Sequence, residues 1–288
     1  MAAQGHKALL TGWFSFRHGE ITAGDALALC HVQKRLDDAR IAYDTAWSPA
    51  FRPGGLSLDD ADPDDYTHLF FVCGPLHGRQ VADLHQRFPH ATRIAVGTST
   101  IDPDDPAVSG FHRVLARDAP GGGPRLDLAA AAPPQALVPV VGVILTHGQS
   151  EYGARRRHSA VTSAVTGWLA GKDCARLELD TRLDAQDWRH CATPGQFLAA
   201  VGRTDLVVTD RLHGLVLALR AGVPAIAVDP VSGGAKVSAQ AHACRWPALV
   251  PAECVDGADL EHWWSWCRGP GRELAELRSQ QFAVANGH

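Results

Sequence analysis

The segment Asp205 to Gly214 reads D-L-V-V-T-D-R-L-H-G. A buried-strand pattern runs into a charged turn and then into an apolar helical pattern. Arg211 and His213 are thus expected at a strand's carboxyl end and a helix's amino end. A guanidinium fork there can grip a phosphate or carboxylate, and an imidazole of near-neutral pKa can move a proton. The competing arrangement is a structural Asp210–Arg211 pair, with His213 satisfied in the core. The next strand, Ala225 to Val228, empties into Asp229-Pro230-Val231-Ser232-Gly233-Gly234-Ala235-Lys236. Gly233 and Gly234 permit close backbone approach, and Lys236 is expected to start the following helix. The spacing is not that of a Walker A loop. Only four of the 27 basic residues are lysines, Lys7, Lys34, Lys172 and Lys236, so each invites its own question. For Lys236 the plain alternative is an exposed loop side chain.

Four further groups carry potential chemistry. Arg117-Asp118 follows a strand ending at Leu115, and its plain alternative is a surface ion pair. Arg155-Arg156-Arg157-His158 precedes a helix and has the donors to receive a diphosphate or acidic sugar, against a solvated basic loop. The loop from Gly12 through Arg17 and His18 to Gly24-Asp25 empties into a helix whose free N–H groups favour an anion, with Asp25 as a candidate cap. The aromatic run Trp263-Trp264-Ser265-Trp266 is most simply packing of a terminal helix, with sugar stacking as the alternative.

The elements that must hold these residues alternate. Strand patterns at Lys7–Trp13, Ile41–Trp47, His68–Cys73, Arg93–Val96 and His112–Leu115 alternate with helical spacing at Gly24–Arg40 and Gly78–Phe88. A Gly, Pro and Ala-rich stretch over 119–135 interrupts the rhythm. It restarts with strands at Leu137–Leu145, Cys174–Leu179, Asp205–Thr209 and Ala225–Val228, helices at His158–Ala170 and Gly214–Ala221, and a short helix opened by Thr193-Pro194. This predicts an α/β chain of two Rossmann-like, doubly wound parallel-sheet domains, 1–120 and 136–288, joined by a linker at 121–135. Ligands in such folds sit beyond the carboxyl ends of the strands, so the two domains are expected to face a cleft. One or two helices are expected in the tail, packing back on the N-terminal domain.

Composition narrows the classes. The chain has 288 residues, 45% hydrophobic and 20% charged, enough for a sizeable core and against wholesale disorder. A net charge of −4 argues against bulk attraction to nucleic acid or anionic membrane. Seven cysteines without C-x-x-C spacing read as reduced thiols. No signal peptide or transmembrane run is evident, so a cytoplasmic location is expected. The fifteen histidines are scattered, so neither a metal site nor a resident cofactor is expected.

The order over Asp205–Lys236 (strand, D-R-L-H-G, helix, A-G-V-P-A-I-A-V, glycine-bearing loop, lysine) resembles the polysaccharide pyruvyl transferase family. Other elements follow the family in order from about residue 8 to 250. Thr22-Ala23-Gly24-Asp25 holds the place of its N-x-G-D helix start. Phe71-Val72-Cys73-Gly74-Pro75 stands where it has a strand and glycine run, Gly97-Thr98-Ser99 where it has G-x-S, and Arg117-Asp118 where it has an Arg-Asp pair.

The resemblance implies a fold similar to the GT-B glycosyltransferases. It also implies transfer of an enolpyruvyl-derived group from phosphoenolpyruvate to two hydroxyls of a sugar-containing acceptor, giving a pyruvate ketal. Carried over by position, Arg117, His213 and Lys236 meet the donor, with Arg117 and Lys236 clamping its anions and His213 as acid/base. Arg211, Gly24, Asp25, Gly233 and Gly234 are expected beside them in substrate binding. Arg155, Arg156, Arg17 and His18 are assigned to the acceptor, a sugar, sugar-nucleotide or lipid-linked sugar. A rival is a nucleotide-sugar glycosyltransferase or epimerase of the same architecture. Such enzymes place an acidic residue near the loop after the penultimate strand, and here that loop has Asp229, Lys236 and no following glutamate. A second rival is a sugar-binding family member without turnover.

Overall fold

A computed structural model describes residues 6–17, 20–146 and 150–285. The chain divides into two compact units, residues 1–135 and 136–288. The first comprises β1 (Lys7–Thr11), α1 (Ala23–Asp38), β2 (Ala42–Thr45), β3 (His68–Val72), α2 (Arg79–Arg87), β4 (Thr92–Ser99), α3 (Pro106–Ser109) and β5 (Arg113–Asp118). The second comprises β6 (Val140–Ile144), α4 (His158–Ala170), β7 (Ala175–Glu178), α5 (Pro194–Val201), β8 (Leu206–Thr209), α6 (Leu212–Arg220), β9 (Ala225–Asp229), α7 (Lys236–Ala243), β10 (Leu249–Pro251), α8 (Gly257–Cys267) and α9 (Pro270–Ala285).

Each unit holds one five-stranded parallel sheet. The orders are β2-β1-β3-β4-β5 and β10-β9-β8-β6-β7. Both are the same doubly wound order, and each reverses direction once, between β1 and β3 and between β6 and β8. That switch point leaves a crevice at the strands' carboxyl ends. The sequence makes these sheets for a simple reason. Central parallel strands bury both faces, so β8 and β9 are apolar runs buried at every position. The helices are one-sided: α4 buries Val161, Val165 and Leu169 on one stripe. At α5, Thr193 and Gln196 close a capping box in front of Pro194.

One segment differs from its compositional reading. The Gly, Pro and Ala-rich stretch reads as a linker, yet its 3-10 turn at Leu128–Ala131 packs on α1. His31 Nδ1 donates to the Ala131 carbonyl at 2.8 Å. The terminal helices pack within the second unit, α8 against α4 and β9, and α9 against α6 and α8. The tryptophans do the packing: Trp264 meets Trp168 edge-on at 5.6 Å and Trp266 meets Trp246 at 5.2 Å. Among the described residues, no helix is long and apolar enough to cross a membrane.

Candidate functional site

In the first unit the switch-point crevice is filled. Gly74 has φ 74°, and a Cβ there would lie 2.3 Å from the Trp13 ring, so only glycine lets the indole close over this loop. Trp13 Nε1 donates to the Pro75 carbonyl at 2.9 Å and locks it there. Burial pushes the Cys73 thiol up to about 11, helped by the Asp25 carboxylate, so it stays protonated.

The other sequence candidates of this unit are engaged in structure. Thr22, not Asp25, is the cap of α1; Asp25 reaches back to the Thr22 N–H at 3.0 Å, while its own N–H donates to Thr22 Oγ1 at 3.2 Å. Gly24 sits in the first turn with ordinary space around it. Arg17 is exposed and lies 3.6 Å from Asp59. His18 lies outside the described residues. Arg117 donates from Nε to Asp118 at 2.8 Å, from Nη1 to Asp127 at 2.6 Å and from Nη2 to Ser99 Oγ at 2.7 Å. Two carboxylates therefore already balance its charge.

The second unit is arranged differently. At the end of β8, Thr209 Oγ1 donates to the Ile144 carbonyl of β6 at 2.8 Å and accepts from the Arg211 N–H at 3.0 Å. α6 starts directly on top of this hydroxyl. A Cβ at Gly214 would fall 2.1 Å from Thr209 Oγ1, which is why glycine ends the D-R-L-H-G segment. His213, in the first turn of α6, is exposed and makes no hydrogen bond to any described residue, so it is not a core histidine. Arg211 does not pair with Asp210. Its Nη1 donates to Asp180 at 2.5 Å, just beyond the end of β7.

Asp210 is instead buried, and no described residue reaches either carboxylate oxygen with normal hydrogen-bond geometry. Burial raises its pKa to about 6, although Thr146 close by pulls it back in part. The native state therefore holds this proton more tightly than the unfolded chain. Stability falls as pH rises from about 4 to 6, and the penalty is complete above that. Asp210→Asn is expected to raise the melting temperature at pH 8, by roughly 2–3 kcal/mol of stability. The gain should vanish below about pH 4. An equal difference at both pH values, read by thermal unfolding, would show that the carboxylate is not held near neutrality.

Beyond β9, Asp229 is fully buried and builds the loop. Its Oδ1 accepts from the Val231 N–H, and its Oδ2 from the N–H groups of Ala235 and Ser238 and the Ser238 hydroxyl, at 2.7–3.1 Å. Lys236 heads α7, 4.0 Å from Glu151 and 5.8 Å from the Tyr152 ring centroid. The arginine run is tied to the same loop. Arg157 N–H donates to the Pro230 carbonyl at 2.8 Å, Ser232 N–H to the Arg155 carbonyl at 2.9 Å, and Arg156 bridges Val231 antiparallel. Arg155 Nη2 touches the Gly234 carbonyl at 3.5 Å and Arg157 Nε donates to Ser232 Oγ at 3.1 Å. Arg155, Arg156, Gly233, Gly234 and Lys236 thus lie on two hydrogen-bonded segments, the end of the arginine run and the loop after β9.

Sequence reasoning missed three participants. Glu253, from the turn after β10, accepts the Gly233 N–H at 3.0 Å. A glutamate does therefore reach the loop, but from twenty residues away, without any local motif. Its pKa is lowered by backbone N–H groups, including that of Gly233. Gly234 N–H donates to the Val231 carbonyl at 2.8 Å, so neither glycine N–H is idle. Asp180 and Thr146 were also unmarked, because only the winding brings the ends of β6, β7 and β8 together.

Residues 175–232 match the family model described as "Polysaccharide pyruvyl transferase". They run from β7 through D-R-L-H-G to the loop after β9, the stretch that carries the family resemblance. A search of the curated proteins returns no match. Among solved structures, the glycotransferase of kitacinnamycin is 12% identical, with 98% of this chain and 96% of that one covered at a TM-score of 0.37. The Methanocaldococcus jannaschii UDP-GlcNAc 2-epimerase, in complex with UDP-GlcNAc and UDP, is 9% identical, covering 98% and 100% at 0.34. The E. coli heptosyltransferase WaaC with ADP is 12% identical, covering 91% and 99% at 0.29.

Proposed function

We propose that this chain is a carbohydrate-modifying transferase that moves an enolpyruvyl-derived group from phosphoenolpyruvate to two hydroxyls of a sugar-containing acceptor. The observation that carries this reading is His213. It stands exposed on the first turn of α6, its ring without a hydrogen-bond partner among the described residues, at the carboxyl end of the strand adjacent to β9 and its loop. The family match over 175–232 supports it.

The chemistry asks for these groups. Phosphoenolpyruvate carries a phosphate and a carboxylate, and Lys236 with the neighbouring Arg155 supplies cations for both. His213 gives a proton to the terminal carbon of the enol, leaving cationic character on the neighbouring carbon. One sugar hydroxyl adds to that carbon and loses its proton to the imidazole. A second hydroxyl then replaces phosphate, which departs with the displaced proton, and the ketal closes. Each proton that leaves a hydroxyl is matched by one delivered to carbon or to phosphate. Arg211, braced by Asp180, holds the turn that presents His213. Arg117 can join the donor only with the N–H groups that Asp118, Asp127 and Ser99 leave over.

One observation favours a second reading. Glu253 on the Gly233 N–H supplies the acidic residue that nucleotide-sugar enzymes use to hold ribose hydroxyls. Melting the protein with phosphoenolpyruvate and with a panel of nucleotide sugars separates the two. Under the first reading, phosphoenolpyruvate raises the melting temperature and releases phosphate when a mixed sugar extract is added. Stabilisation by a nucleotide sugar alone, without phosphate release from phosphoenolpyruvate, overturns it in favour of the second.

A further inference from the structure

A cavity of about 310 Å³ lies beyond the carboxyl end of β6 and along α4. Thr146 leaves the end of β6 and His158 begins α4, and both line it. They are 8% and 2% exposed, yet Thr146 Oγ1 and both ring nitrogens of His158 have no hydrogen-bond partner among the described residues. A buried polar group left unpaired destabilises the free protein, so a ligand that satisfies it binds there with advantage. Arg156 borders the same cavity and is exposed, and the first turn of the thirteen-residue α4 faces it with Ser159. The described lining side chains at this end can all donate, which is the chemistry of an anion site at a helix N-terminus, and the buried Asp210 carboxyl stands against Thr146.

The cavity does not stop there. Thr162 and Thr166 also line a second cavity of about 350 Å³, which runs on to Glu178 and Asp180 beside β7. At that end Arg176 also lines the cavity and Asp180 is already held by Arg211 and Arg182, so Glu178 is the carboxylate offered to a ligand hydroxyl. The groove thus pairs the donors at the start of α4 with an acceptor at its far end.

We propose that this groove binds a sugar phosphate, its phosphoryl group held by Thr146, Arg156, His158 and the start of α4. Its hydroxyl-bearing ring lies along Thr162 towards Glu178 and Asp180. This deepens the reading above, on which it rests, by naming the acceptor class as a phosphorylated sugar. Burial, reinforced by Arg156 and Lys236 and opposed by Glu151 and Asp229, keeps the His158 pKa low. The ring is thus neutral near pH 7, with one nitrogen donating to the phosphoryl group and the other free to accept from a ligand hydroxyl.

Titration calorimetry on the full chain tests this without requiring turnover. The probes are glucose 1-phosphate, inorganic phosphate and glucose. Glucose 1-phosphate is expected to bind at least about tenfold more tightly than either other probe, since each half of the groove contributes. Arg156→Ala, at an exposed position, and His158→Gln should each weaken it by about tenfold or more. No binding of glucose 1-phosphate, equal binding of inorganic phosphate, or full affinity in Arg156→Ala each overturns the proposal. Because the readout is binding, it is separate from the phosphoenolpyruvate assay. Sugar phosphate binding without phosphate release from phosphoenolpyruvate sinks the donor assignment and keeps the groove. Phosphate release with an unphosphorylated sugar but no glucose 1-phosphate binding does the reverse.

Discussion

His213→Ala is expected to reduce phosphate release from phosphoenolpyruvate by about 10²–10⁴-fold, the range of a positioned acid/base. The fold should not notice. His213 is exposed and bonded to no described residue, so its loss removes no native contact that stabilises α6. The melting temperature should shift by no more than about a degree or two, as for other surface substitutions. The pairing of a large kinetic effect with a silent thermal one is what assigns the residue to chemistry. If phosphate release survives intact, the imidazole is not the proton donor. If activity and melting temperature fall together, the histidine was structural.

Asp229→Ala is expected to do the opposite, with its main effect on stability. The carboxylate is fully buried and accepts four hydrogen bonds from Val231, Ala235 and Ser238. Removing it leaves buried N–H groups at the start of α7 without acceptors, at a cost of roughly 3 kcal/mol or more. For a unit of this size that lowers the melting temperature by roughly 6–12 °C. The loop holding Gly233, Gly234 and Lys236 loses its anchor, so ligand binding there should fall as well. Asp229→Asn keeps one carbonyl oxygen and should cost less. An unchanged melting temperature in Asp229→Ala would mean that the loop is shaped by its glycines and by Arg155–Arg157 instead.

The two variants mark where reading residues alone succeeds. β8 and β9 declare themselves because strands buried on both faces favour apolar runs, here broken only at their carboxyl ends by the hydrogen-bonded Thr209 and Asp229. Thr193-Pro194 declares a helix start because its cap is local. Likewise the Arg211–His213 pair follows from strand and helix periods that meet at Asp210. Short marginal elements such as α3, with four residues, or β10, with three, carry too little pattern to be seen.

What was not legible is partnership. Asp210 and Arg211 are neighbours in the chain and invite pairing, but the turn sends one side chain into the interior and the other to Asp180, just beyond the end of β7 two strands away. Glu253 meets Gly233 only because β10 lies beside β9. Arg117 reads as a free clamp until Asp127 arrives from a segment that looks like linker.

The opposite fates of the two switch points make the same point. Both sheets are wound alike, and the strand patterns suffice to predict that winding. Whether Trp13 leans on Gly74 to close one crevice, or buried His158 is left without a hydrogen-bond partner among the described residues beside the other, depends on distances of a few ångströms between loops far apart in the chain. Periodicity is a property of neighbours in sequence, and so the sequence alone determined the alternation of elements and the strand-end position of His213 and Lys236. Charge pairing, burial of polar groups and cavity shape are properties of neighbours in space, and those only the tertiary structure decided.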